Sequence, residues 1–368
     1  MYKISPIYYV FAVLTVILGF YACERDDAEP NLEMRKFTRL YVSFEEYTPG
    51  KNPPDTTVRI IYPADSSVFA FNGRHISQVQ GGGPIYYESH PSVNAIFQAS
   101  VNRAGTNDTS IAVLSMGSSG ALNNAGLPKS RYYNNVRGMV FHERANVLYV
   151  VNGSGPDAGV YVMDRPRYAN REKQPLKKLR NNSLTMWGAA YQNEKLFTSK
   201  TTATEGSPAG IYVFDNISGK EVNPQDSIGR LDYSRILEIE DATDLRGLFY
   251  DTVKNVMAVA QMGDGTPGSG RILIFENFSD LVEEEGTITP TRIITGANTG
   301  LVSPVDVVID TRETGVYLYV ADRTARKISR FLYTDNGNVA PDKVIDTSNL
   351  KDGRTPVSIT LDTREHEQ

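Results

Sequence analysis

After about residue 36 the chain is a succession of short apolar runs, each bounded by Gly, Pro, Asn or Asp. Residues 246–276 hold one full unit, with apolar runs at 247–250, 256–260 and 272–275. A tight turn separates the first two runs, and a long Gly/Pro loop separates the second from the third. Runs this short, rich in β-branched and aromatic residues and bounded by turn residues, predict strands. Residues 137–164 repeat the unit, with Arg137-Gly138 falling on Arg246-Gly247. Helix-period stripes are scarce, so the pattern predicts an all-β protein.

The unit recurs along the chain. Equivalent first-strand positions fall at Gly83, Arg137, Trp187, Arg246, Val305 and Val357, in steps of about 50 to 60 residues. A fourth run often follows the three, as at 290–295 and 341–346. Four strands at such a period predict a β-propeller with one sheet per blade. The ends complement each other. Residues 355–362 copy the first strand at 303–310 and then the chain stops, whereas the N-terminal part begins with what reads as a second strand at 39–44 and a third at 58–62. A blade shared between the termini closes the ring, hides two sheet edges and brings the count to six.

With the repeats in place, the chain resembles the NHL-type six-bladed propellers. The likeness is carried over residues 290–362 by Ser303-Pro304-Val305-Asp306, by Tyr317-Leu318-Tyr319-Val320-Ala321-Asp322 and by Lys327-Ile328-Ser329-Arg330-Phe331. The resemblance implies architecture and leaves chemistry open, because propellers carry many functions.

Residues 1–22 differ from the rest. Lys3 is followed by an almost wholly apolar run from 7 to 22, which is short for a membrane-spanning helix of about 20 apolar residues and fits the core of a signal peptide. The run ends in Phe20-Tyr21-Ala22-Cys23, at the only cysteine of the chain. This resembles a bacterial lipoprotein signal, and the acidic residues after it resemble the tether of Bacteroidota surface lipoproteins. The resemblance implies a fatty-acylated Cys23, an outer-membrane address facing outward and a tether at 23–36 ahead of a propeller at 37–368. An ordinary secretory signal or an N-terminal anchor helix stays open as the alternative.

Composition narrows the functions. A net charge of −5 over 368 residues argues against nucleic acid, which asks for a basic face. One cysteine permits no internal disulfide, and four scattered histidines offer neither a Ser/His/Asp arrangement nor a transition-metal site. A monomer is expected.

The long Gly-rich loops, including 101–109, 201–209 and 261–270, fall between second and third strands. In a propeller they share a face with the starts of the first strands, around the mouth of the central tunnel. Loops on a rigid scaffold are where binding usually sits. In register, that mouth is framed by Arg137, Trp187, Lys200, Arg246 and Asp306. Tryptophan offers a stacking face and arginine a planar fork for carboxylate or phosphate. The set suits an anionic or sugar-like ligand, or a protein partner of an uptake system. The competing expectation is structural, with both arginines paired to Asp306 or loop carboxylates and Trp187 plugging the tunnel. Asn152, Asp306 and Asp322 have the right oxygens for a hard cation such as calcium. Propeller lactonases of the gluconolactonase and paraoxonase type hold a metal in such a tunnel, which makes a metal-dependent hydrolase the alternative to a non-enzymatic binding module that needs no cofactor.

Overall fold

In the computed structural model, residues 35–36, 38–102, 107–117, 120–201, 209–284 and 286–366 are described. The apolar run, Cys23 and most of the acidic tether lie outside them. By its contacts the chain divides into a unit at 37–364 and a second one made of 1–36 with 365–368. In the second, Arg35–Lys36 pairs antiparallel with Glu365–His366.

Six sheets of four or five strands form the blades of the larger unit, their strands running from the axis outward. Blade 1 has the order Pro356–Asp362, Arg39–Phe44, Val58–Ile61 and Phe71–His75. Blade 2 starts at Gly82–Glu88, blade 3 at Val136–His142, blade 4 at Met186–Gln192, blade 5 at Leu245–Asp251 and blade 6 at Pro304–Ile309. The protein is thus an all-β, six-bladed propeller. Second strands such as Val147–Asn152 and Val256–Gln261 are buried along their whole length. They read as continuous apolar runs because each is covered on both faces by neighbouring blades. The core lies between blades: Tyr149 and Val151 of blade 3 pack in one cluster with Leu196 and Tyr212 of blade 4.

The first strands are the crowded ones. A β-carbon on Gly138 would lie 2.4 Å from the Gly188 carbonyl, one on Gly188 2.9 Å from the Leu248 amide nitrogen, and one on Gly247 2.1 Å from Asp306 Oδ1. Three inter-blade contacts at the axis therefore accept only glycine, and Gly188 also has a positive φ of 67°. In every blade the pairing of first and second strands slips near this level. The slips fall between Gly82 and Ile85, Val136 and Gly138, Trp187 and Ala190, Leu245 and Leu248, and Pro304 and Asp306; in blade 1 the slip lies between Ser43 and Phe44, opposite Val357. Such bulges add a residue to one strand and re-aim its side chain. The equivalent positions from the repeat lie at these bulges.

A further set of pairings was not expected. In blades 3 to 6 the stretch between third and fourth strands reaches back to the preceding blade and pairs in parallel. Arg171–Glu172 joins Pro128–Lys129, Ile228–Arg230 joins Lys177–Arg180, Gly286–Ile288 joins Arg235–Ile239, and Gly337 bridges Ile294. The straps on blades 3, 4 and 5 cover outer sheet edges, whereas Arg171–Glu172 pairs with chain that follows the outermost strand of blade 2.

The ring closes where Pro356–Asp362 pairs antiparallel with Arg39–Phe44, Ile359 opposite Val42 and Leu361 opposite Leu40. Asp306 fastens the joint across three blades. Its Oδ2 accepts the Ser358 hydroxyl at 2.5 Å and the Ile359 amide at 3.0 Å, and Ser358 Oγ in turn accepts the Ile85 amide at 3.1 Å. Burial pushes the Asp306 carboxyl up from 3.8 to about 6, against these hydrogen bonds.

Two outcomes are expected. Deleting 355–368 removes the inner strand of blade 1 and leaves Arg39–Phe44 bare, so the cooperative melt should be lost or lowered by several kcal/mol, at about 1.5–3 kcal/mol for each fully buried apolar side chain; a truncated chain with the wild-type Tm would contradict closure by both termini. The second concerns pH. Unfolded Asp306 titrates near its ordinary value, so between pH 4 and 6 the folded state holds the extra proton and stability falls as pH rises through that window. Asp306→Asn removes this dependence. The stability of wild type relative to the variant should drop by about 1–3 kcal/mol from pH 4 to 6 and stay level above it. Melting curves of both proteins across that range measure it, and parallel profiles would refute it.

Candidate functional site

Bulges at the starts of the first strands in blades 3 and 5 present Arg137 and Arg246 at the tunnel mouth, and Trp187 stands in blade 4 between them. The Arg137 guanidinium carbon lies 5.0 Å from the centroid of the Trp187 ring and that of Arg246 4.7 Å from it. All three side chains are half-buried. The π-surface of Trp187 thus carries two cations rather than standing free as a platform.

The two arginines differ in their partners. Arg246 holds Asp244 bidentately, at 2.5 and 2.6 Å. This is the loop carboxylate expected of it, whereas Asp306 is not involved. Arg137 donates to the main-chain carbonyls of Val136 at 2.9 Å and Val101 at 3.4 Å, and it makes no ion pair among the described residues. Burial, and after it the charge of Arg246, pulls Arg137 down to about 10. Burial also lowers Arg246, with Asp244 opposing the shift. Both remain cations at neutral pH. A guanidinium taken largely out of water with no carboxylate beside it keeps its charge at a cost, which hydrogen bonds to carbonyls offset only in part.

Below the mouth the tunnel is open. A cavity of about 820 Å³ runs along the inner strands of all six blades. Pro84, Tyr86, Ala189 and Phe249 are half-buried side chains on its wall, and Glu88 lies at the far end. Tyr86 donates to Glu88 at 2.7 Å. At the mouth, Arg323 is held bidentately by the buried carboxylate of Glu45, 3.0 Å to each oxygen.

The other expected site residues fall elsewhere. Lys200 ends the second strand of blade 4, is buried, and is absent from the cavity wall. Burial lowers its ammonium, with Glu238 acting the other way. The three candidates for calcium serve three separate structural ends. Asn152 is buried, accepts the Asn135 amide at 2.7 Å and donates to Asp157 O at 2.9 Å. Asp322 accepts the amides of Val302, Ser303 and Ala325. Asp306 is the joint described above. Among the described residues no cluster of His, Cys, Asp or Glu is arranged to hold a metal ion. Sequence reasoning missed the wall residues Tyr86, Ala189 and Phe249. Their place was readable as two or three positions beyond the aligned arginines.

No family model and no curated protein matches the sequence. Solved structures match in fold. One is a chain of a nidogen/laminin complex, with a TM-score of 0.54 and 12% identity, covering 90% of this chain and 100% of that one. Another is a candidate 6-phosphogluconolactonase from Bacteroides fragilis, with a TM-score of 0.53 and 12% identity, covering 89% of this chain and 99% of that one. At such identity the likeness shows the six-bladed propeller and nothing finer.

Proposed function

We propose that this chain is a binding module whose central tunnel takes a small anionic ligand, with Arg137 as its anchor. The observation that carries the reading is the half-buried Arg137 guanidinium, which lies against Trp187 at the mouth of an open cavity and has no carboxylate partner among the described residues. A tunnel of this kind favours a small molecule over the flat contact of a protein partner. In the same reading the propeller is held at the outer surface of the cell by lipid on Cys23. The apolar run that ends at the sole cysteine, and the acidic residues after it, support that address.

The rival is a tunnel hydrolase. It takes its support from the Bacteroides fragilis neighbour and from Asp306, a tunnel carboxyl poised at about 6. Against it, both Asp306 oxygens already accept hydrogen bonds, and Asn152 and Asp322 are spent on loop amides. Sustained turnover of a phosphorylated sugar lactone by the purified chain, lost in Asp306→Asn, would decide for the hydrolase.

Because Trp187 is the only tryptophan, its fluorescence reports the site directly. Titration with acetate or inorganic phosphate should change that fluorescence saturably. Arg137→Gln should weaken binding at least tenfold, since hydrogen bonds to a charged group contribute about 1.5–3 kcal/mol. The same change should leave Tm unchanged or raise it, because it removes an unpaired buried cation. A lowered Tm with no loss of anion binding would make Arg137 a structural residue. For the anchor, Cys23→Ser should release the protein from membranes with its melting curve intact, and wild type that takes up no labelled palmitate would end the lipoprotein reading.

A further inference from the structure

We infer that the ligand is an amphipathic monocarboxylate, with its carboxylate on Arg137 and an apolar body running down the tunnel. This rests on the anion reading above and adds to it the class of molecule.

The first argument is charge. Of the two guanidinium groups on Trp187, Arg246 already spends its fork on both oxygens of Asp244. Arg323, at the same mouth, spends its own on Glu45. Of these three, Arg137 alone has donors that, among the described residues, meet nothing but main-chain carbonyls. One available fork matches one anionic group. The cation at the far end, Arg364, is held by Asp362, and the wall also carries the carboxylate of Glu88, which disfavours a second anion.

The second argument is the wall. Pro84 and Ala189 have no polar side-chain atoms, and neither does Phe249. The Tyr86 hydroxyl is committed to Glu88. Asp306 faces this stretch as well, yet its oxygens are taken by Ser358 and by the amides of Ile359 and Val307. Thr360 Oγ1 accepts the Tyr87 amide. A sugar acid in this stretch would give up hydrogen bonds to water and find few in return, at a cost of about 1–3 kcal/mol for each group left unpaired. An alkyl or aryl body gains burial against Pro84, Ala189 and Phe249 and has no hydroxyl of its own to leave unpaired, although the tunnel-facing edges of the inner strands carry main-chain polar groups.

The third argument is length. Tyr86 and Phe249 lie three residues beyond the level of Arg137, which at the rise of a strand is about 10 Å. A carboxylate at the mouth with six to eight carbons behind it spans that distance.

The test uses the full chain carrying Cys23→Ser, so that no attached lipid can enter the tunnel, and reads Trp187 fluorescence. Acetate, butyrate, hexanoate and octanoate are titrated in turn, then gluconate, which has the carbon count of hexanoate and a hydroxyl on every carbon beyond the carboxylate. Affinity should rise about threefold to fourfold per methylene through the series. Hexanoate should bind at least tenfold more tightly than gluconate. Ala189→Gln, which puts a polar side chain into the wall, should weaken hexanoate at least tenfold more than it weakens acetate; should that variant fail to fold, the wild-type series decides alone. If acetate binds and the series is flat, or gluconate matches hexanoate, the anion site stands and this inference is overturned. If no acid in the series perturbs Trp187, the anion reading falls with it.

Discussion

Crowding at the axis governs this molecule. Six inner strands converge on one tunnel, and at three of their contacts the approach leaves no room for a β-carbon: Gly138 against Gly188, Gly188 against Leu248, and Gly247 against Asp306. Glycine satisfies the contact and releases its neighbour. Directly before each of these glycines stands Arg137, Trp187 or Arg246, in a strand whose register slips at that level. The backbone constraint that lets blades 3, 4, 5 and 6 meet is thus also what turns three large side chains into the mouth.

Those side chains set opposing energies against each other. Burial disfavours the charge on Arg137, and the neighbouring Arg246 disfavours it further. The aromatic ring returns part of that cost through its quadrupole, about 0.5–2 kcal/mol for a cation–π contact. Arg246 is neutralised by Asp244, and Arg137 is left with carbonyl oxygens. Two equivalent positions, two blades apart, thus differ in whether a carboxylate holds the cation.

Much of this was legible in the sequence. The Arg-Gly pair appears twice at the same place in the repeat, which was enough to put Arg137 and Arg246 at one level with Trp187 between them, and the two half-blades at the termini announced the closure. What was not legible depended on where side chains point and what they meet. Asp306 looks like a metal ligand until Ser358 and Ile359 are brought to it from a strand 52 residues later. Asn152 and Asp322 have the oxygens of a cation site, yet each turns to amides of its own blade, a choice that composition does not reveal. Lys200 is in register with the mouth but ends a second strand, one layer out from the axis. The straps escaped because three-residue pieces such as Ile228–Arg230 lack a period long enough to read, and their pairing depends on the preceding blade being there to receive them.

The straps also give the ring a direction in time. Blades 3 and 4 each have their outermost strand covered by chain that belongs to the next blade, and blade 5 receives a single bridge from blade 6 in the same sense. A ribosome therefore makes each cover after the edge it protects. At these steps the nascent chain exposes the edge of its newest blade until one more repeat has emerged, and a product that stops between repeats carries a raw strand into solution. Lys343–Asp346, outermost in blade 6, pairs with no strand beyond it among the described residues; the corresponding stretch of blade 1, made first, meets blade 6 through side chains, with Arg330 donating to Ala64 and Ser66 and Phe69 stacking on Tyr319. The short length of this outermost strand and the charges at its two ends, Lys343 and Asp346, guard it against pairing with another chain.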